Sequence, residues 1–78
     1  RASSLRKEDD FMKSPLPGRI EEIRFKNGER VEEGSVVLIL ESMKMSIPLS
    51  AEKSGRIRYF VEDQEAVLRG EKLFIIEA

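Results

Sequence analysis

The chain has no cysteine, no histidine and no tryptophan. Without cysteine there is no disulfide and no thiol nucleophile. Without histidine, imidazole is missing from both proton transfer and metal ligation, so Ser-His-Asp triads and the usual zinc sites are excluded. A metal site is not expected. No apolar run approaches the roughly 20 residues that carry a helix across a bilayer. Charge of neither sign dominates: 14 Lys and Arg stand against 15 Asp and Glu, for a formal net charge of -1. The excess of positive charge that phosphate backbones attract is absent. Neither nucleic acid nor a membrane is therefore expected as a partner.

What is present is 78 residues, enough for one small domain. Ordering a residue costs about 1–2 kcal/mol of backbone entropy. Burying a large apolar side chain contributes about 1.5–3 kcal/mol. A chain this short has little room for a deep pocket. It begins at Arg1 rather than Met, which predicts a fragment or a processed product. Residues 1–10 hold one large apolar residue, Leu5, and read as a flexible linker or an expression remnant. The domain is expected over 11–78.

The chain repeats itself. Gly18-Arg19-Ile20 recurs as Gly55-Arg56-Ile57 at an offset of 37, and Glu29, Val31, Gly34, Ile39 and Glu41 recur as Glu65, Val67, Gly70, Ile75 and Glu77 at an offset of 36. One residue is lost between the copies, and the Asn27-Gly28 turn is the expected place. Two copies suit a single domain with a pseudo-two-fold axis. Alternation in the second copy puts Leu73 and Ile75 inward, and hence Val37 and Ile39. Ile20 with Ile57, Val31 with Val67, and Ile23 with Phe60 complete the shared apolar set. Leu38/Phe74 and Leu40/Ile76 are apolar in both copies, so both faces of these strands are expected to be partly covered.

Gly18, Gly28, Gly34, Gly55 and Gly70, with Pro15, Pro17 and Pro48, cut the chain into short pieces. No segment keeps a helical period. Strands are expected near 11–14, 18–25, 30–31, 36–41, 45–50, 55–61, 66–67 and 73–77, in an all-β barrel or sandwich. Residues 36–47 break the local rules, because they contain no Gly, Pro, Asn or Asp. A single strand there is longer than the typical five or six residues. The repeat requires the chain to fold back after Glu41, so a hairpin is expected near Ser42-Met43-Lys44-Met45. Tight hairpins favour Asn-Gly or Asp-Gly, since their central residues need positive φ. Met-Lys is a poor choice locally, and sequence that defies local chemistry is often held for function. The turn is expected to project Lys44 opposite the chain ends.

These residues resemble a known family. Glu41-Ser42-Met43-Lys44-Met45 is similar to the acceptor sequence of biotinyl domains, usually Glu-Ala-Met-Lys-Met, with Ser42 in place of the common Ala. Ser14-Pro15-Leu16-Pro17-Gly18 resembles the family's lead-in, commonly Ala-Pro-Met-Pro-Gly. Asn27-Gly28-Glu29-Arg30-Val31-Glu32-Glu33-Gly34 resembles the turn and short strand before the modified hairpin. The likeness covers about 11–78. No thumb insertion separates strands 18–25 and 30–31, so the chain looks like the thumbless carriers fused within multidomain carboxylases, or like small attachment proteins. The resemblance implies a flattened antiparallel β-barrel of two four-stranded sheets. It implies biotin joined to Lys44 by a biotin protein ligase, with Met43 and Met45 in ligase recognition and Glu41 and Ser42 as hairpin context. It further implies a non-catalytic carrier that serves a biotin carboxylase and a carboxyltransferase. The compartment implied is the cytoplasm, or the mitochondrial matrix or plastid in a eukaryote. Two other readings stay open. A lipoyl carrier shares the barrel, although lipoyl domains more often show Asp before the lysine and Ala after it. An unmodified β-barrel interaction module is the other.

The bland readings sit beside these. Met-Lys-Met alone is ordinarily a solvated hairpin. Glu21-Glu22 and Glu32-Glu33 point to opposite strand faces and converge on nothing. Arg56 and Arg58 share a strand face that could touch a partner enzyme, although a solvated face is the simpler reading.

Overall fold

The computed structural model describes Lys7 and residues 10–78. Apart from these two positions, the expected linker over 1–10 lies outside the described residues. Eight strands follow one another: β1 (Phe11–Lys13), β2 (Gly18–Ile23), β3 (Arg30–Val31), β4 (Val36–Ser42), β5 (Met45–Ser50), β6 (Gly55–Tyr59), β7 (Ala66–Val67) and β8 (Lys72–Glu77). They form two four-stranded sheets, ordered β1-β8-β6-β3 and β5-β4-β2-β7. Every pairing is antiparallel. No α-helix forms among the described residues. Strands β2 and β6 stop about two residues short of expectation. Soon after each, a glutamate caps the turn that follows: Glu29 Oε1 accepts from Lys26 N–H and Glu65 Oε1 from Glu62 N–H.

The repeat is visible bond by bond. Gly28 N–H donates to Ile57 O and Gln64 N–H to Ile20 O, at 2.7 and 2.8 Å. Ile57 N–H donates to Glu29 O and Ile20 N–H to Glu65 O. Arg56 Nη1 reaches Gly28 O as Arg19 Nη1 reaches Gln64 O. Gly34 N–H closes on Ala51 O, and Gly70 N–H on Ser14 O, both at 2.8 Å. Each copy thus ties its loops to the other copy.

Two details of the sequence reading are corrected. The unmatched residue is not at the Asn27-Gly28 turn. Strand β2 bulges between Ile20 and Glu22 against β4, leaving Glu21 without a ladder partner. Strand β6 runs against β8 without a bulge. Beyond the bulge the offset is 36, so Ile23 matches Tyr59 rather than Phe60. Phe60 is 45% exposed. The phase of the inner strands also differs. Leu38 and Leu40 are fully buried, while Ile39 is only half-buried. Leu38, Leu40, Phe74 and Ile76 fill the core with Ile20, Ile57, Val31 and Val67. Val37 and Leu73 also join that core, whereas Ile75 is buried outside it. A nearly continuous apolar run hides its phase, because period-two alternation is legible only when one face is polar.

Two glycines let the copies pack. A Cβ placed on Gly18 would collide with the carbonyl oxygen of Glu41, and one on Gly55 with that of Glu77. These close approaches bring β2 against β4 at its hairpin end and β6 against the end of β8. The topology therefore puts the β4–β5 turn at one end of the barrel and the end of β8 at the other.

Candidate functional site

Strands β4 and β5 pair through Leu40↔Ile47, Glu41↔Ser46 and Ser42↔Met45, leaving Met43 and Lys44 as a two-residue turn. Their φ angles are 53° and 65°. Positive φ at both central residues is the type I′ geometry that matches strand twist. A side chain in the left-handed region costs about 1–2 kcal/mol per residue. The expected hairpin is thus present, and its two central residues hold the conformation without glycine.

Three features hold this turn. Leu40 and Ser42 of β4 are buried, so the strand cannot slip by one residue without exposing them. The Ser42 hydroxyl donates to Pro17 O at 2.7 Å, which ties the hairpin to the β1–β2 segment. That segment is itself fixed: Ser14 is buried, its hydroxyl donates to Leu16 O at 2.7 Å, and its N–H donates to Glu71 O. Gly18 lets the backbone of β2 approach the Glu41 carbonyl. A shallow depression of about 310 Å³ lies between residues 16–19 and hairpin residues 41–44.

The side chains of the turn face water. Met43 is 83% exposed and Met45 55%. Lys44 and Glu41 are exposed as well. Among the described residues, no hydrogen bond or ion pair engages the Lys44 ammonium. Its chemistry is that of an accessible primary amine on a fixed backbone. It can form an amide without any pocket having to open, so the donor suits a covalently tethered acyl group.

The other candidates do not converge. Glu21 Oε1 accepts from Ser46 Oγ at 2.7 Å, and Glu22 pairs with Arg24 at 3.3 Å. Glu32 takes bonds from Arg30 and Ser54. Among the described residues no group of three or more acidic side chains is placed to hold a metal ion. Arg56 serves the Gly28 carbonyl and Arg58 pairs with Glu77, so both have structural work. Of the five residues the sequence singles out, Glu41, Met43, Lys44 and Met45 lie exposed at one turn, while Ser42 points inward as its anchor. The Pro17 carbonyl carries no sequence mark of its own. Only the small, polar identity of Ser42 hints that something there accepts a hydrogen bond from its hydroxyl.

The chain is similar to known proteins. The model of the Biotin_lipoyl family, described as "Biotin-requiring enzyme", matches residues 10–78. A biotin/lipoyl attachment protein of Bacillus subtilis is 42% identical over 43 residues, covering 55% of this chain and 59% of that protein. A chloroplastic biotin carboxyl carrier protein of acetyl-CoA carboxylase from Glycine max is 40% identical over 68 residues, covering 86% of this chain and 25% of that one. The crystal structure of Kluyveromyces lactis urea carboxylase superposes with a TM-score of 0.77 at 28% identity, over 86% of this chain and 6% of that one. The chain thus spans less than two thirds of the length of each of these relatives.

Proposed function

Since the chain belongs to the Biotin_lipoyl family of biotin-requiring enzymes, we propose that it is the carrier domain of a biotin-dependent carboxylase, with biotin attached through an amide to Lys44. The single observation that carries this reading is the Met43-Lys44 turn: two exposed non-glycine residues held at positive φ on the tip of a hairpin whose first strand is anchored in the core. Its conformational cost has no use in the fold, where Asn-Gly would serve better. A carrier has a use for it, because the turn fixes the direction in which the lysine leaves the barrel.

The bound group would supply the ureido nitrogen that accepts a carboxyl group. The chain's own residues do the rest. Leu40, Ser42 and Gly18 hold the backbone of the turn, Met43 and Met45 offer flexible apolar contact to a modifying enzyme, and Lys44 Nζ provides the bond. The domain carries the carboxyl group from a biotin carboxylase site to a carboxyltransferase site. Tethering replaces a bimolecular encounter with a high local concentration. No catalytic group is required of the domain itself. The Bacillus relative is named for both biotin and lipoyl attachment, so a lipoyl carrier is the second reading. Met43 and Met45 favour biotin.

Coexpression with a biotin ligase and a lipoyl ligase, supplied with both acids, decides between them by intact mass. A biotin adduct that Lys44→Ala abolishes, with the strand-type circular dichroism spectrum kept, is the expected result. A lipoyl adduct supports the second reading. An unmodified wild-type chain would leave only an interaction module.

A further inference from the structure

The depression of about 310 Å³ beside the turn has Lys44 itself among its walls. The internal repeat sorts the residues around it into two kinds. Gly18 and Arg19 match Gly55 and Arg56, and they do the same structural work at both ends of the barrel. Leu16 and Pro17 have no such counterpart, because Lys53 and Ser54 stand in their places. Leu16 is half-buried and Pro17 exposed, so together they give the depression an apolar wall. Glu41 also differs from its twin. Glu77 faces Arg58 at 3.6 Å. At the hairpin end the place of Arg58 is taken by Glu22, which pairs with Arg24. Arg19 lies directly across the ladder from Glu41 but donates to Gln64 O. Among the described residues, no hydrogen bond or ion pair engages the Glu41 carboxylate.

We propose that this depression is a resting site for the biotin ring carried on Lys44, with Leu16 and Pro17 covering its apolar part and Glu41 accepting from a ureido N–H. This rests on the carrier reading of Lys44. The ring combines two chemistries: an apolar, sulfur-containing half and a ureido half whose N–H groups donate. The depression offers the matching pair, an apolar wall and an unengaged carboxylate. A hydrogen bond to a charged acceptor is stronger than one between neutral groups. Ligand pockets begin at about 300 Å³, so this one admits one small ring and little more. A shallow, open site of that size binds weakly from free solution. The tether changes the outcome. A short flexible linkage gives an effective concentration on the order of millimolar, so a site with a Kd of about 1 mM stands half filled. Such a hold also yields readily, since a partner site that binds about tenfold tighter draws the ring away. Lys44 lines the depression, so the arm starts at its edge and folds back by rotating its own bonds, with no movement of the barrel. Between visits to partner sites, the apolar arm is kept off water.

The test is nuclear magnetic resonance of the isotope-labelled full chain before and after complete biotinylation, with loading confirmed by intact mass. Nuclear Overhauser contacts between the ring protons and the side chains of Leu16 and Pro17 are expected. Amide shifts should change at residues 16–19 and 41 as well as at 43–45. The matching residues at the other end, 53–56 and 77, should not shift. Leu16→Lys should abolish the ring contacts, and Glu41→Gln should reduce the shift changes at 16–19 by about twofold, since it exchanges a charged acceptor for a neutral one. Shift changes confined to 43–45 in the wild type, with no ring contacts, would overturn the resting site while leaving Lys44 as the attachment site. Ring contacts that survive Leu16→Lys would overturn it too. A wild-type chain that takes no biotin would overturn the carrier reading and this inference with it.

Discussion

The two ends of this barrel differ in what the repeat preserves and what it does not. Backbone closures are duplicated almost bond for bond: Gly28 with Ile57 as Gln64 with Ile20, Gly34 with Ala51 as Gly70 with Ser14. Close approaches are duplicated too, at Gly18 and Gly55. The side chains that face water are not. One end carries Met43, Lys44, Met45 and Leu68, and the other carries Glu32, Glu33, Lys53 and Ser54. A pseudo-symmetric fold thereby separates two kinds of requirement. What appears in both copies serves folding, and what appears once is free to serve a partner.

Breaking the duplicated features should hurt both ends alike. Gly18→Val and Gly55→Val each drive a side chain into a backbone carbonyl, and each should destabilise by about 1–3 kcal/mol or more. Urea unfolding measures this, and an unchanged midpoint for either would show that the close approach is not needed.

A smaller effect sharpens the comparison at the turns. Gln64 holds φ at 71° where its twin Gly28 holds 85°, and Met43 holds 53°. Met43→Gly should stabilise the domain by about 0.5–1 kcal/mol through relief of left-handed strain, net of glycine's extra unfolded-state entropy, whereas Gln64→Gly also loses the bond from Gln64 Nε2 to Glu21 O and should gain less. For Met43→Gly that is a rise of a few degrees in melting temperature for a domain of this size. Ligase labelling should slow only in Met43→Gly. Equal labelling in the two variants would mean that the Met43 side chain contributes nothing to recognition.

An effect of similar size lies in the opposite sheet. Burial pushes the Tyr59 hydroxyl above its ordinary value of 10.0, a hydrogen bond from the Phe25 backbone opposes this, and the Glu29 charge adds to it. Its hydroxyl donates to Val37 O at 2.9 Å. The folded state therefore keeps this proton longer than the unfolded state. The stability it contributes is complete below the unfolded value and is lost as pH rises through the folded one. Tyr59→Phe should cost about 0.5–1.5 kcal/mol at neutral pH and flatten the fall in stability above pH 10. An equally steep fall in the variant would assign it to other groups.

Much of this was legible in the sequence. Glycine and proline spacing located most of the strands, because these residues mark turns by their backbone restriction; Pro48 instead lies within β5, an edge strand where a missing N–H is tolerated. The repeat forced a hairpin where no turn residue stands, and the turn is there at Met43-Lys44. Side-chain phase was harder to read. Val36–Leu40 and Leu73–Ile76 are apolar on both faces, so nothing in the sequence says which residues point inward. The Glu21 bulge was hidden for a related reason: one residue added within a strand leaves no Gly or Pro to mark it. The Ser42–Pro17 bond joins residues 25 apart in sequence, a contact that only the folded chain brings together.

Lys44 is the residue on which the carrier function depends. The decisive measurement is tandem mass spectrometry of peptides from the full chain after reaction with biotin protein ligase, biotin and ATP. The chain offers six lysines, at positions 7, 13, 26, 44, 53 and 72. Biotin on Lys44, with the other five unlabelled, is the expected result. Label on any other lysine in place of Lys44, or no label at all, would contradict the carrier function.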